Sequence, residues 1–245
     1  MKLYVLNIDI QNSALGDLVC YLPIFNILAN NNRINTIYTN KTWHEFLCKV
    51  FPNINFVIKQ KGTHILNTDY LLKTTFLQTP NSIHIPLIDW ASLTLADCIL
   101  KPDQKNYLNL NHLDINVSKF KLPEKYIVLT CGYTSELKKL ESNTFNETKE
   151  YLLSLGYNVV VLGKEQKIPN GLDSYEVKIQ SEYDLSGTIN LVNKTSILES
   201  LRIISNSKFI LGVDNGLLHL AGCTDVPIIA GYTHKDPWYL MPHRH

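Results

Sequence analysis

The chain has 245 residues, 45% of them hydrophobic, which is enough to bury one large core or two of ordinary size. Its 23 Lys and Arg against 22 Asp and Glu leave a net charge of +1, so there is no general attraction to nucleic acid or to an anionic membrane, and any anion site must be local. Cys20, Cys48, Cys98, Cys131 and Cys223 are widely spaced, with no C-x-x-C pair and no zinc-type cluster, and read as buried reduced thiols.

The N-terminus runs directly into Leu3-Tyr-Val-Leu6 after one Lys, with no small-residue cleavage site, so no signal peptide is read there. No apolar run approaches the roughly 20 residues of a membrane span. The expectation is a cytoplasmic protein with at most peripheral membrane contact.

In chain order, Leu3 to Ile10 reads as a strand, Leu18 to Asn30 as a helix, Ile34 to Thr39 as a strand, Lys41 to Val50 as a helix and Asn53 to Lys59 as a strand. Short apolar runs broken by Pro80, Pro86 and Pro102 leave the stretch from Lys61 to Asn116 without an assigned topology. A polar segment from Asn116 to Glu124 marks a domain boundary, giving domains of 1–118 and 119–245. Tyr126 to Thr130 then opens a second series, followed by a helix from Asn143 to Leu155 stopped by Gly156, and by the apolar strand Asn158 to Leu162. Thr195 to Ser205 carries Ile197, Leu198, Leu201 and Ile204 on one helical face. Lys208 to Val213 is a strand, Leu217 to Cys223 a short helix and Val226 to Ala230 a strand. This alternation predicts an α/β fold with two tandem units built on parallel sheets.

Parallel α/β sheets bind ligands beyond the carboxyl ends of their strands, which singles out three junctions. In Asn12-Ser-Ala-Leu-Gly-Asp17, Gly16 allows close approach and Asp17 sits at a helix start. Asp17 is either a charge on that helix or a general base. In Cys131-Gly-Tyr-Thr-Ser-Glu-Leu-Lys-Lys-Leu140, Gly132, Thr134, Ser135 and Lys138 or Lys139 are groups suited to a phosphate, although a solvated loop accounts for them equally. In Gly212-Val-Asp-Asn-Gly-Leu-Leu-His219, a strand enters a turn and then a helix, so the N–H groups of Asn215, Gly216, Leu217 and Leu218 face a crevice, with His219 on the first turn. An ordinary turn beside a core histidine is the alternative. Glu182-Tyr-Asp184 reads as a solvated loop, and Glu165 as a surface charge with a nucleoside contact as its other reading. Trp43, Trp90 and Trp238-Tyr239 read as core aromatics rather than sugar platforms, and His234, His243 and His245 lack acidic or cysteine partners at ligand spacing.

These segments, in this order, resemble glycosyltransferase family 9, the heptosyltransferases of lipopolysaccharide core synthesis. Leu15-Gly-Asp-Leu-Val-Cys-Tyr-Leu-Pro23 fits an L-G-D-x-x-x-x-x-P motif. Asp214-Asn-Gly-Leu-Leu-His-Leu-Ala221 is close to D-[ST]-G-x-x-H-[LIV]-A, and Gly132 with Lys138-Lys-Leu-Glu141 partly matches a K-x-W-P segment. Asn215 stands for Ser or Thr, Leu140 and Glu141 stand for Trp and Pro, and Gly231-Tyr-Thr lacks a proline. The resemblance covers the first thirty or so residues and about 125 to 233, and implies a short or truncated family member.

What the resemblance implies is a GT-B architecture, two Rossmann-like domains with the acceptor mainly on the first and a nucleotide-sugar on the second. It implies inverting, metal-independent transfer of a sugar, with ADP-heptose the leading donor, to a glycan or lipid-linked glycan acceptor and with no cofactor. Such transfer needs a base for the acceptor hydroxyl and a site for the departing diphosphate. Asp17 is the expected base, with Lys138 as catalytic cation. Gly16, Gly132, Thr134, Ser135, Asp214, Asn215, Gly216, Leu217 and His219 are expected around the substrates. The alternatives are a catalytically silent sugar-nucleotide-binding protein of the same fold and a sugar-nucleotide epimerase of GT-B shape. A dinucleotide dehydrogenase is disfavoured because no G-x-G-x-x-G follows the first strand.

Overall fold

The computed structural model describes residues 6–10, 14–58, 87–96, 107–170, 173–233 and 236–242. The start of the first strand, Asn12 and Ser13, Cys98, His234, His243 and His245 lie outside the described residues, as do the side chains of Trp90 and Tyr239. The structure divides into two compact units, one within Met1–Leu108, Pro169–Ser174 and Trp238–His245, the other within Asn109–Ile168 and Tyr175–Pro237. Among the described residues, no helix is long and apolar enough to cross a membrane.

The first unit runs β1 (Leu6–Asp9), α1 (Leu15–Asn30), β2 (Ile34–Thr39), α2 (Lys41–Val50), β3 (Phe56–Ile58) and α3 (Leu87–Ala96). β2 lies between β1 and β3 and is parallel to both. Helix α1 is apolar around most of its circumference, with Leu18, Val19, Cys20, Tyr21, Leu22, Ile24, Phe25 and Leu28 all buried, as a helix covered on several sides must be. α3 supplies part of that cover. The Asn40 side chain caps α2 by accepting from Trp43 N–H at 3.0 Å, and Trp43, Phe46 and Leu47 turn inward, so Trp43 is a core residue as expected.

In the second unit, β4 (Ile127–Thr130), β6 (Val159–Leu162), β9 (Ile189–Asn190), β10 (Ile210–Val213) and β11 (Ile228–Gly231) form one sheet in the order β11-β10-β4-β6-β9. All its pairings are parallel. β4 and β6 are buried at every residue, the signature of a strand covered on both faces. Helices α4 (Ser142–Ser154), α5 (Ile197–Ser205) and α6 (Gly216–Ala221) are the crossovers that parallel pairing requires. Gly156 ends α4 at φ +79°, and a Ser196/Glu199 capping box starts α5.

A second, small sheet of β5 (Gly132–Tyr133), β7 (Gln166–Asn170) and β8 (Asp173–Ile179) in the order β5-β8-β7 was not foreseen, and β5 meets β8 antiparallel. Glu182-Tyr-Asp184 is a loop with Glu182 and Asp184 exposed, as expected, but the fold holds two of its side chains. Tyr183 is buried and stacks on Phe145 with ring centroids 4.1 Å apart, while Asp184 Oδ2 pairs at 2.5 Å with the fully buried Lys149 ammonium. Burial opposes the Lys149 charge, yet hydrogen bonds to Asp184 and Glu150 hold its pKa above the ordinary value. A buried cation needs those partners, and this is why Asp184 is recruited.

Two predictions follow from this packing. The Lys149 hydrogen bond, aided by the Ser186 N–H and hydroxyl, holds the Asp184 carboxyl at about 2 instead of 3.8. A depressed carboxyl pKa contributes stability above its unfolded value and loses it as pH falls through the folded one. Thermal melts should therefore drop as pH is lowered from about 4 to about 2, and Asp184→Asn should flatten that part of the profile. Separately, a Cβ on Gly212 would lie 1.9 Å from Thr130 Oγ1. Gly212→Ala should cost about 1–3 kcal/mol in denaturant unfolding, and far less in a Thr130→Ala background.

Candidate functional site

The order of the large sheet reverses at β4: β6 and β9 extend to one side, β10 and β11 to the other. The loops leaving β4 and β10 therefore part in opposite directions, which opens a crevice beyond their carboxyl ends. Two of the three junctions singled out in the sequence, those around Gly132 to Lys138 and Asp214 to His219, follow these two adjacent strands.

Their side chains meet. Lys138 Nζ lies 2.6 Å from Asp214 Oδ2, and His219 Nε2 lies 3.3 Å from Asp214 Oδ1. Asp214 is 4% exposed and Lys138 21%. Burial pushes the Asp214 pKa up, but the His219 hydrogen bond and the Lys138 charge outweigh it and hold the carboxyl well below the usual range. With the carboxylate ionised, His219 Nε2–H is the donor, which fixes which ring nitrogen carries that proton. The Asp214 N–H donates to Gly231 O at 3.2 Å, tying the turn to the end of β11.

Local structure explains how each group arrives. Ser135 Oγ accepts from Leu137 N–H at 3.3 Å and starts a 3-10 turn, Glu136–Lys138, that delivers Lys138 to Asp214. Lys139 points to Glu136 instead, at 3.6 Å with Glu136 70% exposed, so the structure separates the two lysines that the sequence left undivided. Thr134 is exposed, and Gly132 is buried in β5. Thr233 Oγ1 donates to Leu137 O, joining the segment after β11 to the same turn.

Asn215 is the N-cap of α6. Its Oδ1 accepts from Leu217 N–H at 3.0 Å and Leu218 N–H at 3.2 Å, so two of the four amides expected to face a ligand are taken by this side chain. Its Nδ2 donates to Thr130 Oγ1 at 2.9 Å and Gly132 O at 3.2 Å. Sequence reasoning missed Thr130; the signal was a hydroxyl residue closing an otherwise apolar strand opposite a glycine.

Cys131, beside Gly132, is buried, and burial followed by the Glu165 charge pushes its thiol up to about 12, so it serves as core and not as a nucleophile. Glu165 is exposed, as its surface reading has it, but it is held: its N–H donates to Asn193 Oδ1 at 2.8 Å, and Asn193 Nδ2 donates to Glu165 Oε2 at 3.4 Å. Gly16 and Asp17, half-buried in the first turn of α1, belong to the first unit, where Ala14 is the N-cap. Among the described residues, no three His, Cys, Asp or Glu side chains are grouped to hold a metal ion.

Comparison with known proteins bears on this arrangement. A profile of glycosyltransferase family 9 (heptosyltransferase) matches residues 96–245. Lipooligosaccharide heptosyltransferase 2 of Haemophilus influenzae is 29% identical over 93 residues, a match covering 38% of this chain but only 26% of that protein. The iron-containing dodecameric glycosyltransferase TibC from enterotoxigenic E. coli superposes with a TM-score of 0.65 at 17% identity, covering 94% of this chain and 59% of that one. A second structure of that enzyme is a complex with ADP-D-β-D-heptose, and superposes at 0.62 with 16% identity and coverage of 94% and 58%. The glycosyl transferase family 9 protein from Veillonella parvula superposes at 0.66 with 15% identity, covering 100% of this chain and 86% of that one. The chain thus spans less than two thirds of the curated relative and of TibC. The profile match takes in more than half of the chain, with Lys138, Asp214 and His219 inside it, and on that ground the protein belongs to glycosyltransferase family 9.

Proposed function

We propose that this protein is an inverting, metal-independent glycosyltransferase that moves a sugar from a nucleotide-sugar, with ADP-heptose the leading donor, to a hydroxyl of a glycan or lipid-linked glycan of lipopolysaccharide type. The observation that carries the reading is the Lys138–Asp214–His219 cluster at the switch point of the second sheet. Family membership and a structural neighbour solved with ADP-D-β-D-heptose support the choice of donor. In this reading residues 1–118 serve the acceptor and 119–245 the donor, in an enzyme of GT-B type that acts in the cytoplasm.

The chemistry assigns one role to each group. The Asp17 carboxylate takes the proton of the acceptor hydroxyl, whose oxygen attacks the anomeric carbon as the carbon–oxygen bond to the diphosphate breaks, with inversion. The diphosphate leaves with the bonding pair and a developing negative charge. Lys138 meets that charge, and its low-dielectric setting beside a buried carboxylate strengthens the interaction. Asp214 aims Lys138 and His219, while Gly132, Thr134, Ser135 and the Asn215–Leu217 turn line the diphosphate.

Purified protein incubated with ADP-heptose, other nucleotide-sugars and candidate acceptors should release nucleoside diphosphate. Lys138→Ala should lower kcat/KM by about 10²-fold or more, as loss of a transition-state donor does. Lys139→Ala should stay within about twofold, since its partner lies on an exposed pair. Asp17→Asn should cost about 10²–10⁴ in kcat with donor affinity retained. Failure of every donor to bind, or equal losses from Lys138→Ala and Lys139→Ala, would refute the transferase reading. Donor binding without release would favour a silent sugar-nucleotide-binding protein.

A further inference from the structure

Asn215 occupies a position where the family motif carries Ser or Thr, and its side chain is used at every hydrogen-bonding position. Oδ1 accepts two bonds, from Leu217 N–H and Leu218 N–H, and Nδ2 gives two, to Thr130 Oγ1 and Gly132 O. The first pair is an N-cap, which a Ser or Thr hydroxyl could also make. The second pair is different. It spans the crevice from the β10–α6 turn to the end of β4 and the start of β5, and a hydroxyl, one bond shorter and with one proton, cannot cap the helix and also bridge to both acceptors.

The rest of the crevice is arranged around that bridge. Gly212 stands beside Thr130, and a Cβ there would overlap Thr130 Oγ1, the atom that accepts from Asn215. Gly132, whose carbonyl is the other acceptor, begins the loop that ends at Lys138, and Asp214 immediately precedes Asn215. The amide therefore links, through a few bonds on either side, the backbone that carries Lys138 to the backbone that carries Asp214 and His219.

We infer that Asn215 is a positioning residue that locks the two halves of the site together before any ligand arrives, so that diphosphate affinity depends on the Nδ2 bridge separately from the helix cap. The inference rests on the donor-diphosphate reading of the same site. It needs no contact between Asn215 and the ligand: the bridge holds the Lys138 loop and the Asp214–His219 turn at a fixed separation, and a preorganised site loses less on binding.

The experiment uses the full chain and ADP as the probe, titrated calorimetrically, with unliganded melting curves recorded in parallel. Asn215→Ser keeps the cap and deletes the bridge; it should lower the unliganded melt modestly, and weaken ADP binding roughly three- to tenfold at temperatures where the unliganded variant is still fully folded. Asn215→Asp keeps size and cap but sets an acceptor against Gly132 O, and should weaken binding at least as much. Thr130→Ala removes one end of the bridge from the other side. It should weaken binding in the same direction, and the double variant Asn215→Ser/Thr130→Ala should lose less than the product of the single losses, as coupled residues do.

Unchanged ADP affinity in Asn215→Ser, or independent multiplication of the two effects, overturns the bridge while leaving the donor site intact. A loss of affinity that merely tracks a fall in the unliganded melt assigns Asn215 to folding and also overturns it. Absence of ADP, UDP and GDP binding by the wild-type protein removes the donor reading, and the inference with it. Wild-type binding that Lys138→Ala abolishes upholds that reading whichever way Asn215→Ser behaves.

Discussion

One buried charge organises the second unit. Asp214 directly follows β10 with its carboxylate 4% exposed, where an unpaired charge would cost several kcal/mol. It must therefore meet a cation and a hydrogen-bond donor, and the chain supplies both from different directions. Lys138 comes from the loop after β4, delivered by a 3-10 turn that Ser135 caps. His219 comes from α6, five residues on, and reaches back only because the helix starts directly after Asn215. The local choices of cap, turn and helix start are thus consequences of one electrostatic requirement.

That requirement could be met only at this place in the sheet. Strand order reverses between β4 and β10, so their two loops are near neighbours and yet diverge, leaving room between them. Close strand contact is set by Gly212, whose missing side chain lets Thr130 Oγ1 approach. A bulkier residue would push β10 from β4 and lengthen every contact across the crevice. The two fully buried strands β4 and β6 provide the rigid floor from which the site is built.

Most of this framework was legible in the sequence because hydrophobic periodicity is strong where elements are buried. The spans Ile34–Thr39 and Lys41–Val50 coincide with the observed β2 and α2, and α4 to α6 with β10 and β11 lie within two residues or so of expectation. The small sheet was not seen. β8 does alternate, with Tyr175, Val177 and Ile179 separated by charged residues, but its neighbour β5 is two residues long, too short for any pattern to register, as is β9 at the edge of the large sheet. The exposure of Asp184 was legible but its ion pair was not, because its partner Lys149 lies thirty-five residues earlier and shows as an ordinary helical lysine. Within the site, residue types were legible and pairings were not. Which lysine reaches Asp214 depends on a 3-10 turn, and the diversion of the Leu217 and Leu218 amides to Asn215 depends on a side-chain conformation.

The pairing of Lys138 with Asp214 raises the question of what such a lysine has left for a ligand. Exposure answers it. The carboxylate is the buried partner, at 4%, and the ammonium the more accessible one, at 21%, so it is the lysine end of the pair that a ligand can reach. Lys138 meets Asp214 Oδ2 as an ion pair at 2.6 Å, in which that oxygen accepts no well-aligned hydrogen bond, so the three N–H donors of the ammonium are held near the site by charge. A lysine held only by water would spend rotamer entropy each time it met a phosphate, on the order of 2 kcal/mol for the whole side chain. Here most of that ordering is done on folding. The buried carboxylate also offsets the Lys138 charge, so the pair by itself carries no net charge. On the proposed reading, Asp214 tempers the pull of Lys138 on the diphosphate, so that the leaving group meets a held cation and is still released, which is what a leaving-group site that must turn over requires.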